Sequence, residues 1–302
     1  MRESSSIAGG LGDRTAHHRF DRGLHDRRRT REPIGFHVTI RLEDDRPIAT
    51  TPAALRVVAR VVLEQGEERG LLAFGAADDH LHAALAADRA SAGAFARYVE
   101  SALVWQLGLA ARFERARIRP LHDQKHAYNT FHYAHRQDSR HELDLDRARE
   151  GTSLPDLLGL RVLDTSLIAR VRAHLPRIRR EDLVRHFQPG AFDMDGPIDL
   201  DVLADAAAAV LALVDLRGRS ADTIRARRAA VHAAGPNVSS RRLSECLGIG
   251  VRAVQSLRTQ RSEPATIRAV EWQALLRSAM KPVSEAHAGT GIPGDTREYH
   301  RG

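Results

Sequence analysis

The sequence predicts an α+β protein in which a ferredoxin-like split β-α-β sandwich, over about residues 33–148, precedes an all-α C-terminal region. The first supporting observation is a series of strand-like and helix-like segments in the order β-α-β-β-α-β-α between residues 35 and 141. The second is that the chain from about residue 151 onward carries only helical patterns. We expect four further regions: a disordered basic arm over 1–32, a helical extension and linker over 149–196, a helical domain over 197–282 and a disordered tail over 283–302.

Local signals predict each element of the first half. Residues 35–42 alternate between apolar and polar side chains and are rich in β-formers, which predicts a strand. Thr51 and Pro52 are the expected N-cap and first residue of a helix, and Ser91 is the expected N-cap of the next long helix. The other expected elements are two strands or one hairpin at 71–76 and 81–87, a charged strand at 113–120 and a polar helix at about 124–141.

The second half carries helix caps and breaks. Ser153 and Thr165 are the expected N-caps in the partly helical stretch 151–187, and residues 188–197 have the composition of a linker. Further helices are expected at 199–216, 221–234 and 266–280.

Residues 239–258 follow the pattern of a helix-turn-helix unit. Ser239 or Ser240 is the expected cap of the first helix, and Gly248 permits the sharp turn to the second. The side chains expected to remain exposed on the second helix, where they would contact DNA, are Arg252, Gln255, Ser256 and Arg258. A plain helical hairpin is the alternative interpretation.

Composition indicates a polyanionic partner. The net charge is +7 and the pI is about 10.3, and nearly all of the 46 basic residues are arginines, which bind phosphate in a bidentate manner. The single cysteine, Cys246, excludes an intramolecular disulfide and a cysteine-based zinc site. Since no charge-free apolar run reaches about 18 residues and no signal-peptide core is present, we expect a cytoplasmic protein without a membrane span.

A His-x-His sequence lies in one of the predicted strands. Because side chains alternate between the faces of a strand, His80 and His82 point to the same side and Leu81 points into the core. Two adjacent imidazoles form half of a divalent-metal site. The alternative is a pair of partly exposed histidines with no ligand.

The polar helix predicted at 124–141 carries further side chains that could complete a site with these histidines. Residues three and four apart share a helix face, which places His126, Asn129, Tyr133 and Gln137 in one row. Tyr133 and Gln137 are one turn apart. Tyr128 is a rival nucleophile, but it points to a different face. We interpret the remaining candidates as ordinary polar residues rather than ligands; these are His37, His122 and His132.

The two motifs together resemble a known family. His80-Leu81-His82 resembles the His-hydrophobic-His (HUH) motif of single-strand endonucleases, and Tyr133 with Gln137 resembles the Tyr-x-x-x-Gln helix of single-tyrosine transposases, both insertion-sequence type and REP-associated. The resemblance covers about residues 34–145. Asp79 stands where asparagine is more usual in the family, and the long C-terminal region has no counterpart in the minimal transposases.

The resemblance implies an HUH endonuclease fold and a defined set of roles. Tyr133 would attack a DNA phosphate and form a 5′-phosphotyrosine, with Mg²⁺ or Mn²⁺ held by His80, His82 and Gln137. The implied partner is single-stranded or hairpin DNA at this site, with duplex DNA at the C-terminal helices, and the protein would be a monomer or a homodimer. Further candidate phosphate contacts are Arg117, Arg119, Lys125 and His126, although solvated surface charge is the favoured interpretation of any one of them.

Two other functions fit parts of the pattern. The first is a non-catalytic or domesticated, sequence-specific DNA-binding regulator that keeps a transposase-like scaffold. The second is a metal-dependent enzyme acting on RNA or nucleotides, in which Tyr133 is structural. The joint presence of both histidines, Tyr133 and Gln137 favours the nuclease.

Overall fold

The four strands in the described part of the chain form one antiparallel sheet. The computed structural model describes residues 32–77, 79–136, 146–187 and 198–280. The strands are β1 (Gly35–Arg41), β2 (Leu71–Ala77), β3 (His80–Leu85) and β4 (Arg117–Leu121), in the spatial order β2-β3-β1-β4. Every neighbouring pair is antiparallel, so the predicted α+β class with an antiparallel sheet is confirmed. The predicted basic arm up to residue 31, the linker at 188–197, the C-terminal tail and Gln137 lie outside the described residues.

Three helices accompany the sheet: α1 (Pro52–Gly66), α2 (Arg89–Leu107) and α3 (Gln124–His135). Thr51 caps α1 as predicted, since its hydroxyl accepts the N–H of Ala54 at 3.2 Å. The prediction that Ser91 caps α2 is wrong: the N-cap is Asp88, whose carboxylate accepts the N–H of Ser91 at 2.7 Å. Aspartate caps as well as serine does, and so α2 begins two residues before Ser91.

The apolar face of the sheet packs against α1 and α2. On β1 the alternate residues Phe36, Val38 and Ile40 are buried. Helix α2 lies on this side, because a Cβ on its Gly93 would contact Ile118 of β4, the cross-strand partner of Val38. Each such aliphatic or aromatic side chain contributes about 1.5–3 kcal/mol when it is fully buried. This face therefore stabilises the fold and leaves the opposite face for polar residues.

The polar face of the sheet is covered in part by α3. The closest approach is at Gly75 of β2, where an added Cβ would lie 1.9 Å from the carbonyl oxygen of Ala134. A glycine is required there, since any side chain would push the helix away from the sheet. The last turn of α3, which contains Tyr133, is thereby placed directly above the strands.

The rest of the described chain is helical. Its helices are α4 (Leu154–Leu158), α5 (Leu167–His174), α6 (Arg180–His186), α7 (Leu200–Val210), α8 (Ala221–Ala233), α9 (Ser240–Leu247), α10 (Val251–Thr259) and α11 (Pro264–Met280). Ser153 is the N-cap residue of α4 as predicted, but the predicted Thr165 cap is wrong, because Ser166 occupies that position before α5. The carboxylate of Asp164 accepts the N–H groups of Ser166 and Leu167 and so performs the capping function instead. None of the described helices is long and apolar enough to cross a membrane.

A buried ionic cluster joins the sheet domain to the C-terminal helices. Glu150 pairs with Arg56 of α1 and with Arg277 of α11, and all three side chains are at most 7% exposed. Arg277 also binds Asp205 of α7 at 2.8 Å. Because each buried charge has an opposite partner, the cluster fixes how these elements meet.

The predicted helix pair at 239–258 is present as α9 and α10. Ser239 caps α9 by accepting the N–H of Arg242, and Gly248 follows the helix with a φ of 62°. The buried residues of the pair are Leu243, Leu247, Val254 and Leu257, which join a second hydrophobic core formed with α7, α8 and α11. The two helices are thus connected by a three-residue turn and anchored on a helical core.

Candidate functional site

The polar face of the sheet carries both histidines of the His-x-His motif. Directly opposed residues on neighbouring strands project from the same face. His82 lies opposite Thr39 and His80 opposite Arg41, while Thr39 is also opposite Arg117 on the other side. The antiparallel register therefore collects residues from β1, β3 and β4 on one surface.

The rings of His80 and His82 lie side by side, as their spacing predicts. Their centroids are 4.6 Å apart and their planes are 81° apart. His80 Nδ1–H donates to Asp79 Oδ1 at 2.6 Å, and Arg41 binds the same carboxylate at 2.5 Å. Burial works to raise the pKa of Asp79, but His80 and Arg41 outweigh it and hold that pKa below its usual range. The ionised carboxylate fixes the His80 ring, with Nε2 as the nitrogen suited to a metal ion.

His82 is held from behind by two residues of β1. His37 Nε2 lies 3.0 Å from His82 Nδ1, and Thr39 Oγ1 lies 3.2 Å from the same nitrogen. His37 was interpreted as an ordinary polar residue, but the structure places it within the site. His37 is a hydrogen-bonding partner of His82 Nδ1, just as Asp79 is the partner of His80 Nδ1.

His37 is a neutral imidazole at neutral pH. Burial, followed by the nearby charges of Arg119 and His126, lowers its pKa to about 4. A neutral His37 can accept a hydrogen bond from His82 Nδ1–H through its Nε2, which leaves His82 Nε2 to face a ligand. His80 and His82 then both direct their Nε2 atoms toward the ligand-binding side.

Tyr133 completes the cluster from α3. Its ring centroid is 4.9 Å from that of His82 and 6.0 Å from that of His37, in edge-to-face contacts. Tyr133 and Asn129 line a cavity of about 580 Å³ together with His37, His80 and His82. The phenol, the histidines and open space therefore meet at one place.

The rival tyrosine is elsewhere. Tyr128 lines a separate groove and contacts the ring of His132 at 4.4 Å, and it is not among the residues that line the cavity of Tyr133. His132 is buried and pairs with His186, with 2.9 Å between Nδ1 and Nε2. The geometry thus separates the two tyrosines as the helical spacing predicts.

Arginines dominate the charge of the cavity wall. Arg117 and Arg119, both predicted phosphate contacts, project from the edge strand β4 and are exposed. Arg41 and Arg115, which sequence reasoning missed, also line the cavity, and Glu114 is the acidic residue among its lining residues. Arg115, Arg117 and Arg119 outnumber Glu114 on this wall, while Arg41 is paired with Asp79, and the excess of guanidinium groups attracts phosphate.

Two other predicted residues, Lys125 and His126, are not among those that line the cavity. Lys125 is exposed and lines the groove of Tyr128, while His126 is exposed near His122, with 6.4 Å between their ring centroids. Gln137, the predicted third metal ligand, lies outside the described residues.

The predicted DNA-contacting residues of the C-terminal helix pair divide into two groups. Arg252, Gln255 and Ser256 are exposed on α10, as expected. Arg258 is half-buried and donates to the carbonyl oxygen of Val238, so the expectation that its side chain is exposed is wrong. The loop before α9 folds back onto this guanidinium group, a tertiary contact that the helical pattern does not reveal.

The residues present fit a divalent metal ion in part. No group of three or more His, Cys, Asp or Glu side chains within the described ranges is already arranged to hold a metal. The site does contain two imidazoles on one face, each with a hydrogen-bonding partner on Nδ1, which is the common arrangement behind metal-ligating histidines. His80 and His82 are therefore suitable as two of the ligands.

Comparisons with known proteins add no relative. No protein-family model, no curated protein and no solved structure matches the chain.

Proposed function

We propose that this protein is a metal-dependent, single-strand DNA endonuclease and strand transferase of the HUH single-tyrosine type, with Tyr133 as the nucleophile. The observation that carries the proposal is the contact between Tyr133 and His82 in an arginine-lined cavity. The split β-α-β-β-α-β arrangement of the sheet and its helices also supports it. The resemblance of the two motifs to those of transposases points in the same direction.

The reaction is an in-line displacement at phosphorus. The phenol oxygen of Tyr133 forms a bond to phosphorus, the bond to the 3′ oxygen breaks, and the phenol hydrogen ends on the leaving 3′-hydroxyl. The product is a 5′-phosphotyrosine, which keeps the ester for later attack by another 3′-hydroxyl. A divalent ion held by His80, His82 and Gln137 would stabilise the charge that develops on the phosphate oxygens.

Other residues of the chain position the substrate. Arg117 and Arg119 are placed to bind the phosphates of an unpaired strand that crosses the edge of the sheet. Arg41 is engaged with Asp79 and acts mainly on the orientation of His80. The cavity is open to solvent, as a site must be if it accepts an internal stretch of a strand.

A non-catalytic DNA-binding role is the second candidate. The observation that favours it is the exposure of Arg252, Gln255 and Ser256 on α10, while Val254 and Leu257 anchor the helix in the core. This surface would contact duplex DNA whether or not Tyr133 reacts. The two functions are compatible in one protein, and a covalent product distinguishes them.

The test uses a pool of single-stranded hairpin DNAs labelled at the 3′ end, incubated with the full chain and Mn²⁺. A 5′-phosphotyrosine retains the downstream fragment, so the 3′ label should migrate with the protein on a denaturing gel. The adduct should be absent in Tyr133→Phe and present in Tyr128→Phe. If no adduct forms while duplex binding remains, the nuclease proposal is wrong and the DNA-binding function is favoured.

A further inference from the structure

A second groove adjoins the cavity of Tyr133 on the surface of α3. It has a volume of about 790 Å³ and lies between the first turns of α3 and the segment that follows α5. Asn129 lines both this groove and the cavity of Tyr133, so the two spaces meet at one side chain. The segment on the far side, Leu175 to Arg177, comes from the helical extension, outside the region that resembles transposases.

The aromatic side chain in this groove is held in a fixed position. The Tyr128 ring contacts the ring of His132 at 4.4 Å between centroids, with 64° between the planes. His132 is in turn bonded to His186 of α6, and both histidines are 8% exposed. A ring fixed in this way loses little conformational entropy when a flat ligand stacks on it.

The surroundings of Tyr128 combine apolar contact with positive charge. Leu175 is buried and forms part of the floor next to Pro176, while Lys125 and Arg177 are exposed at the rim. Asp123 is the acidic residue of the lining, and its carboxylate caps α3 by accepting the N–H of His126 at 2.8 Å. An aromatic platform with two cations in the same groove is the combination by which proteins bind unpaired bases together with their phosphates.

We propose that this groove is a subsite for an unpaired nucleobase of the strand that is cleaved at Tyr133. The base stacks on Tyr128, and the adjoining phosphates bind Lys125 and Arg177. Five residues separate the two tyrosines, which is about 7.5 Å along the helix axis. Because the two tyrosines also point to different faces of the helix, the bound base lies a few nucleotides from the scissile phosphate rather than directly at it.

This inference rests on the proposed function, and its test has a separate readout. A fluorescein-labelled, 15-nucleotide oligothymidylate is titrated with the full chain, and binding is followed by fluorescence anisotropy. Tyr128→Ala should weaken binding about 5- to 100-fold, whereas Tyr128→Phe, which keeps the stacking surface, should bind within about twofold of the wild type. Tyr98→Ala, at an exposed tyrosine on α2, is the matched control and should have no effect.

Arg177 is tested by the salt dependence of the same binding. Arg177→Ala should reduce the slope of log affinity against log salt by about 0.7, because one phosphate contact with a single strand is lost. Arg172→Ala, at an exposed arginine of α5, is the control for loss of charge alone and should change the slope less. Equal slopes for the two variants would contradict a phosphate contact at Arg177.

A photocrosslink locates the base directly. Hairpin strands carrying one 5-iodouridine near the cleavage position are irradiated with the wild-type protein, and the crosslinked peptide is identified by mass spectrometry. Attachment at Tyr128 supports the subsite, even if no Tyr133 adduct is ever found, in which case only the nuclease proposal fails. A Tyr133 adduct combined with crosslinks elsewhere and unchanged affinity in Tyr128→Ala overturns the subsite alone.

Discussion

The ring of Tyr133 meets the ring of His82 edge to face, with 4.9 Å between the centroids and 69° between the planes. The two residues belong to α3 and β3, which are joined at this distance because β2 carries a glycine beneath the last turn of the helix. The relation between the phenol and the imidazole therefore depends on Gly75, which belongs to neither element. The close packing of the α3 backbone on Gly75 therefore sets the position of the Tyr133 ring.

Replacing Gly75 should separate Tyr133 from the histidines. In Gly75→Ala the new methyl group would collide with the carbonyl oxygen of Ala134, so that α3 must shift away from the sheet. We expect adduct formation to fall at least tenfold and the free energy of unfolding to fall by about 1–3 kcal/mol. Denaturing gels and urea unfolding measure the two effects.

Gly93→Ala is the matched control for this substitution. Gly93 lies within α2, and its nearest neighbour to an added Cβ is the Ile118 side chain at 3.9 Å. Alanine in a helix stabilises by up to about 1 kcal/mol over glycine, so this variant should be as stable as the wild type or more so, with full adduct formation. If Gly75→Ala kept the stability and adduct yield of Gly93→Ala, the close contact between Gly75 and Ala134 would not be what positions Tyr133.

The residues behind the two histidines should control metal affinity. In Asp79→Asn or His37→Gln the Nδ1 partner of His80 or His82 is weakened or moved, and loss of such a partner from a metal-ligating histidine typically costs 10- to 100-fold in metal affinity. Calorimetric titration with MnCl₂ measures this directly. His122→Gln, which alters a histidine outside the cavity, should bind Mn²⁺ as the wild type does. Unchanged affinity in both site variants would contradict the assignment of these partners.

The buried ionic cluster should be essential to stability. Glu150→Gln removes the negative charge between Arg56 and Arg277 and leaves two buried guanidinium groups undercompensated. We expect a loss of about 3–5 kcal/mol in the free energy of unfolding measured with urea. Glu64→Gln, which removes a half-exposed partner of Arg60, should cost less than about 1 kcal/mol. Similar losses in both variants would argue against the cluster.

Acid should destabilise the fold through a buried histidine pair. Burial, followed by the charges of His132, Arg136 and Arg149, lowers the pKa of His186 to about 4. An unfolded histidine titrates near 6.5, so between pH 6.5 and 4 the unfolded chain binds more protons, and the free energy of unfolding falls as the pH falls. Across this range the protonation of His186 should cost at most about 3 kcal/mol in the free energy of unfolding.

The variant His186→Gln separates this effect from other acid-sensitive groups. Glutamine can still hydrogen-bond to His132 but does not titrate, so the slope of stability against pH between 6.5 and 4 should decrease. His174→Gln, at an exposed histidine of α5, should keep the wild-type slope. Chemical unfolding at several pH values provides the measurement, and parallel curves for all three proteins would refute this origin of acid sensitivity.

Local patterns predicted much of the sheet domain. The alternation in residues 35–42 predicts β1 because one side of the strand is buried and the other is polar, and the Thr51-Pro52 cap predicts the start of α1. The misplaced caps at Ser91 and Thr165 have a common cause. In both cases an aspartate earlier in the chain, Asp88 before Ser91 and Asp164 before Thr165, accepts N–H groups at the start of the helix, and serine, threonine and aspartate compete for this role.

The site residues that were not predicted, His37, Arg41 and Arg115, could be identified only from the tertiary structure. Alternation along β1 places His37 on the polar face with Thr39, but only the strand order reveals that β1 lies next to β3 and brings His37 against His82. The same holds for Arg41 and Arg115, which line the cavity through strand pairing and loop position. By contrast, the side-by-side placement of His80 and His82 follows from the period of a strand alone.

The most direct test of the central claim is to map the residue that becomes covalently bound to DNA. Tryptic digestion of the adduct releases residues 126–136, a peptide that contains both Tyr128 and Tyr133, so fragment ions must locate the nucleotide remnant. The account predicts that the remnant is on Tyr133, in wild type and in Tyr128→Phe alike. A remnant on Tyr128, or an adduct of equal yield in Tyr133→Phe, would contradict it.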